Sequence, residues 1–213
     1  MLFGTHWVAP ILPDFFRRYP DIAVDLHLSG EQIDLIGGGF DAALRIAVLE
    51  DSSLVVKRLA PVRRFVVAAP SYLVRYGRPR HPDDLMAHHC INYAYRAGRD
   101  VWRFTNEAGD SAAITPVGPL RVNEVDALIP TLLAGLAIAE LPEFVAFDLL
   151  RTGQVEALLP DWTMALGGLY FVTPTARARS AKVEALSSFL TERLSGSFWQ
   201  VDPSDVPSTS GRA

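Results

Sequence analysis

Apolar residues near the start of the chain recur at Trp7, Val8, Ile11, Leu12, Phe15, Phe16 and Tyr19, spacings that line one face of a helix. Pro20 stops that helix, while Pro10 and Pro13 each remove a backbone donor and predict a kinked or loosely wound first turn. The following stretch, Ile22 to Leu28, alternates as a half-buried strand does, and Ser29-Gly30 closes it. A short helix is predicted from Gln32 to Ile36, ending in Gly37-Gly38-Gly39. Phe40 to Ile46 is a nearly continuous apolar run, the pattern of a strand covered on both faces. Leu54–Leu59 and Arg63–Ala69 read as two further strands separated by Ala60-Pro61. Pro70 to about Tyr76 reads as a short helix, and His81-Pro82-Asp83-Asp84 as another helix start with proline in its first position.

The second half begins with a hairpin pattern: Val101–Thr105, a turn at Glu107–Asp110, then Ala112–Val117. A helical pattern runs from Glu124 to Leu136, and Ala137 to Leu141 is a short buried strand. Pro142 opens a helix to Arg151, and Gly153 stands where a C-terminal glycine cap belongs. After Val155–Leu159, Gly168–Thr173 is a last apolar strand, and Ser180 caps a helix that carries Val183, Leu186, Phe189 and Leu190. From Gln200 to Ala213 Pro, Ser and Gly dominate, and disorder is expected.

Alternating strands and helices predict a largely parallel, helix-covered α/β sheet, yet the chain opens on a helix with no strand before it. The segment between about residues 69 and 167 has helices and strands of its own, bracketed by apolar strands. That organisation predicts two lobes, the first discontinuous: residues 1–66 with 169–199, and residues 67–168 as the second.

Composition narrows what such a chain does. At 213 residues, with 49% apolar and 21% charged, it can bury a substantial core. Its net charge of −4 has the wrong sign for a polypeptide whose main task is to neutralise phosphates. The longest apolar run, Ala127 to Ala139, is interrupted by Pro130 and Thr131, well short of the ~20 residues of a spanning helix. Cys90 is the single cysteine, so no internal disulfide and no cysteine-based metal set can form. With no secretory signal pattern after Met1, a reducing cytoplasm is the expected location. His88-His89-Cys90 is a poor metal site, because neighbours on an extended segment face opposite ways. No nucleophile elbow, phosphate loop or dinucleotide glycine pattern is present; Gly37-Gly38-Gly39 follows a helix, where a phosphate loop follows a strand. No metal or cofactor is implied and no enzyme is expected.

Leu12-Pro13-Asp14-Phe15-Phe16-Arg17-Arg18-Tyr19-Pro20, followed by Val24–Leu28, resembles the effector-binding domain of LysR-type transcriptional regulators. Similar segments follow in the same order: Phe40–Ile46, Asp51-Ser52-Ser53-Leu54, Ala69–Leu73, Gly77-Arg78-Pro79 with His81–Leu85, and Leu133–Ile138. The resemblance covers about Phe3 to Phe198. It implies a periplasmic-binding-protein-like fold of the type II kind, two α/β lobes joined by two crossing strands, with a small organic effector held between them. The winged helix-turn-helix that heads such regulators, and the usual first strand of the first lobe, have no counterpart here, so this polypeptide is expected not to contact DNA itself. Dimer or tetramer contacts pairing the first lobe with a partner's second lobe are implied, with Phe15–Leu28 near the interface. A stand-alone solute-binding protein or a small-molecule enzyme on the same scaffold is the alternative.

Carried over from the family, the effector-lining positions are Thr5, Ser29, Arg45, Asn123 and Glu124, with Glu140 added from its place at the end of a buried run. Thr5 and Ser29 are suited either to ligand hydrogen bonds or to capping. Arg45, ending an apolar strand, needs a partner, a ligand carboxylate or a neighbouring acid. Glu124 and Asp126 either stabilise the first turn of their helix or disfavour an anionic effector, leaving room for a neutral or amine-bearing one. A buried Glu140 is a ligand contact or the partner of an arginine such as Arg121.

Overall fold

The structure, a computed structural model, describes residues 2–30, 33–47, 54–93, 101–175, 177, 180–195 and 199. Residues Gln32, Asp51-Ser52-Ser53 and the tail from Gln200, all used in the sequence expectations, lie outside them.

The first helix is wound in three ways: a π turn at Gly4–Val8, a 3-10 turn at Ala9–Ile11, and α1 at Leu12–Arg18. Pro10 and Pro13 each lack an N–H, and the changes of winding fall beside them. Next along the chain come β1 (Ala43–Ala47), β2 (Val55–Val62), β3 (Arg64–Ala68), α2 (Pro70–Tyr76), a 3-10 turn at Pro82–Ala87, and β4 (Cys90–Tyr93). The hairpin β5 (Trp102–Asn106) and β6 (Ser111–Ile114) is followed by β7 (Arg121–Val122), a 3-10 turn at Val125–Leu128, α3 (Ile129–Leu133) and β8 (Ile138–Pro142). The chain ends through α4 (Glu143–Arg151), β9 (Glu156–Ala157), β10 (Trp162–Met164), β11 (Gly167–Thr173) and α5 (Ala181–Leu194).

These elements form two compact units, residues 1–62 with 166–198, and residues 63–165 with Trp199 onward. Trp199, expected at the end of the first lobe, groups with the second unit and is fully buried.

In the first unit the sheet order is β1-β11-β2. β1 and β2 both run antiparallel to β11, which lies between them, so two strands that are parallel to each other sit in antiparallel ladders. Pro61 does not end a strand; it continues β2 opposite Gly168, tolerated because β2 pairs on one side only among the described residues. Phe15 of α1 is fully buried, its ring 5.2 Å from that of Phe189 on α5.

The second unit has a five-stranded sheet, β7-β4-β8-β3-β9, and a three-stranded one, β10-β5-β6. Here β7, β4 and β8 are parallel, as the alternation of elements predicts, whereas β3 runs opposite to β8 and β9. The core joins both sheets through Val66, Tyr72, Leu85, Trp102, Phe104 and Ile138. Gly135, at φ +67°, closes α3 where any Cβ would strike Ser71 Oγ.

Two predicted elements are corrected. Residues 22–28 form no ladder with any described residue; alternation supplies a face, but a strand exists only with a hydrogen-bonded neighbour, and no strand precedes α1 among the described residues. Around Leu35 the chain makes turns where a helix was expected, with Gly39 at φ +72°.

Candidate functional site

In the first unit, Gly4 packs against the Leu28 side chain, where an added Cβ would collide with Cδ2. This close approach brings the neighbours Thr5 and Ser29, both exposed, onto adjoining segments. Arg45, on β1 opposite Tyr170 of β11, donates from Nη2 to the carbonyl of Ile33 at 3.0 Å. Of the partners expected for Arg45, neither a ligand nor an acid supplies this contact: a backbone carbonyl does. That bond ties Ile33 to β1, and a guanidinium carries further donors that a second acceptor can use. Thr5, Ser29 and Arg45 are thus carried by segments in successive contact.

In the second unit the parallel strands aim their C-terminal ends the same way, the usual place for ligand contacts in α/β sheets. Register pairs Asn92 with Arg121 and Tyr93 with Val122, so Asn123 and Glu124 follow directly beyond the end of β7. Asn123 is exposed and Glu124 half-buried. The expected long helix from Glu124 is shorter: a 3-10 turn, with the Ala127 N–H bonded to the Glu124 carbonyl at 3.1 Å, and then the five-residue α3. Pro130 near the start of α3 and Gly135 at its end bound it. So short a helix has little macrodipole, and the acids at its head act through their own charge.

Glu140 is buried, its side chain 3% exposed, on the central strand β8. Its partner is Arg64 on the antiparallel neighbour β3: Arg64 Nη2 donates to Oε2 at 2.8 Å, while Nε faces Oε1. A second fork lies beside it. Arg63 Nε donates to Oε1 of Glu143 at 2.9 Å, and the Glu143 N–H bonds back to the Arg63 carbonyl at 2.9 Å. Ion pairing, one of the two roles expected for Glu140, is met by Arg64 where Arg121 was the arginine suggested, and the pair joins β3 to β8. Arg63, Arg64 and Glu143 were not singled out in the sequence. The signal available was two adjacent arginines opening one apolar strand and two glutamates flanking Leu141-Pro142 at the end of another.

A shallow groove of about 280 Å³ lies elsewhere in the first unit, between α5 and the β2–β11 pair, and none of the candidate residues lines it. Among the described residues no set of three His, Cys, Asp or Glu side chains is placed to hold a metal, and no helix is long and apolar enough to cross a membrane.

Residues 1–195 match the LysR substrate binding domain family. The chain is 39% identical over 196 residues to an HTH-type transcriptional regulator of Xanthomonas campestris pv. campestris, covering 90% of this chain and 56% of the relative. It is 31% identical over 182 residues to the uncharacterized HTH-type transcriptional regulator YcaN of Escherichia coli, covering 84% and 59%. The chain therefore spans between half and two thirds of the length of these relatives. Among known structures, the regulatory domain of CrgA, a LysR-type transcriptional regulator of Neisseria meningitidis, superposes with a TM-score of 0.77 at 28% identity, over 91% of this chain and 95% of that one. Full-length AphB of Vibrio cholerae shares the fold, with a TM-score of 0.76 at 23% identity over 89% of this chain and 64% of that one. The units, their sheets and the matched span together make this chain a substrate-binding domain of the LysR family, with the two-lobe periplasmic-binding-protein-like fold of LysR regulatory domains.

Proposed function

We propose that the chain senses a small organic effector with residues of both units, and that effector binding biases the DNA binding of an intact regulator without chemical turnover. The observation that carries this reading is the family match across both units, together with near-complete coverage of the CrgA regulatory domain. Thr5, Ser29 and Arg45 supply the first unit's contacts, and Asn123 and Glu124 the second's, while Glu140 holds the supporting strand through Arg64. An effector shifts such an equilibrium only by its differential affinity for two arrangements.

Glu124 puts a negative charge at the end of β7, which disfavours an anionic effector and favours a neutral or amine-bearing one. The protein assembles as a homodimer or tetramer through contacts that include Phe15–Leu28; Phe16 and Leu26, exposed by 39% and 41%, give that segment an apolar face. DNA is reached through the helix-turn-helix of the longer protein.

Thermal-shift titration with matched panels of small carboxylates, neutral molecules and amines tests this. Saturable stabilisation by a neutral or amine compound without product formation is expected, and Arg45→Ala should abolish it. Glu124→Gln should raise carboxylate affinity several-fold. Turnover of a stabilising compound would refute the sensor, and an unchanged ligand preference in Glu124→Gln would refute the charge assignment.

A further inference from the structure

At the start of β4, away from the candidate effector contacts, two histidines and two tyrosines form a cluster that the sensing role does not use. Tyr72 of α2 is fully buried, and its hydroxyl lies 3.1 Å from His88 Nδ1 and 3.1 Å from the backbone nitrogen of His89. The Tyr72 and Tyr76 rings lie tilted with centroids 4.8 Å apart, and Tyr76 meets His89 edge-on at 6.2 Å.

Hydrogen-bond roles follow from counting. The His89 N–H can only donate, so the Tyr72 oxygen accepts there. The hydroxyl proton then points at His88 Nδ1, its other hydrogen-bond partner among the described residues, which requires a lone pair on that nitrogen. His88 is therefore neutral, with its proton on Nε2. A second proton, on Nδ1, would leave two donors facing each other across 3.1 Å.

We propose that Tyr72, His88 and the His89 amide form a proton-operated latch: with His88 neutral the tyrosine hydroxyl clips the start of β4 to α2, and protonation of the imidazole releases it. The surrounding groups agree. Burial, the largest influence, lowers the His88 pKa below its ordinary 6.5; Asp84 of the Pro82–Ala87 turn opposes this and neighbouring His89 adds to it. The Asp84 carboxylate already accepts from the backbone nitrogens of Arg80 and His81 at 2.8 and 2.9 Å. Burial raises the Tyr72 pKa and pushes the Cys90 thiol up to about 12, so both stay protonated, and of the hydrogen-bonded pair Tyr72 and His88 it is His88 that titrates. Gly135 and Val117, on the segments flanking this point, carry no charge.

A folded pKa below the unfolded one means that the unfolded chain binds the extra proton first. The latch's contribution is then complete above the ordinary histidine value and is lost as pH falls through the lowered one.

Nitrogen-15 NMR of the histidines, recorded on the whole chain between about pH 5 and 8, tests the latch. The expected result is His88 as the Nε2–H tautomer with a midpoint below 6.5, a Tyr72→Phe midpoint moved back towards 6.5, and an acid-dependent fall in melting temperature that His88→Gln flattens. A proton on Nδ1 at neutral pH, a midpoint at or above the ordinary value, or an unaltered acid dependence in His88→Gln would each overturn it. If Tyr72→Phe does not fold, the tautomer in the unaltered chain and the His88→Gln profile decide.

Discussion

The two units secure their charged residues differently. In the first, α1 is tied to α5 by Arg18–Glu192 and Arg193–Asp14, pairs whose side chains are about half exposed, while Phe15 against Phe189 does the burying. In the second, the Glu140 and Glu143 side chains are 3% and 1% exposed, and each is answered by a forked arginine from the start of β3. An exposed pair is screened by water and salt and contributes little. A buried pair has been taken out of water, so its geometry is enforced by what losing either partner would leave behind. Charge is therefore incidental to holding the first unit together and part of the frame of the second.

Breaking a fork gives the largest expected effect. Arg64→Ala removes the guanidinium that forks onto the buried Glu140 carboxylate and should lower unfolding free energy by about 3–5 kcal/mol in urea denaturation followed by circular dichroism. Arg64→Met combined with Glu140→Leu should recover most of that loss, since an apolar pair of similar volume has no charge to desolvate; a double variant as unstable as the single one would break the comparison. In the first unit the loss should come from apolar contact. Phe15→Ala is expected to cost about 3 kcal/mol by the same assay, the lower end for such truncations because Tyr19 and Phe189 border the cavity. Smallest is Arg193→Gln, below about 1 kcal/mol and vanishing at high salt. A larger, salt-insensitive loss there would show that the first unit uses its ion pairs as the second does.

Much of this was legible in the residues. The apolar runs at 40–46 and 168–173 answer to β1 at Ala43–Ala47 and β11 at Gly167–Thr173, Pro70 and Pro142 stand at the starts of α2 and α4, and Gly153 follows α4 at φ +68°. What escaped was pairing. Alternation at 22–28 names a face without naming a neighbour, and β11, entering from far along the chain, reversed the strand sense expected beside β1 and β2. The site was legible to the same depth. Arg45 was rightly expected to need a partner, but a carbonyl twelve residues away leaves no mark in charge patterning. Glu140 stands out in the sequence as expensive to bury, while Arg64 does not, because it opens a strand that reads as plain core. The short β7 and β10 have too few residues for any periodicity to show.

Trp199 gives the topology a practical edge. The chain passes from the first unit to the second after Val62, returns after Ala165, and goes over once more after Phe198 to seat a buried indole. Neither unit is a contiguous stretch of polypeptide. Cutting at the end of the family match, residue 195, would remove a fully buried aromatic side chain that the fold groups with the second unit. Trimmed versions designed from homology alone would lose that buried ring, and producing the units separately would require cutting the chain at three places and rejoining its four segments in pairs.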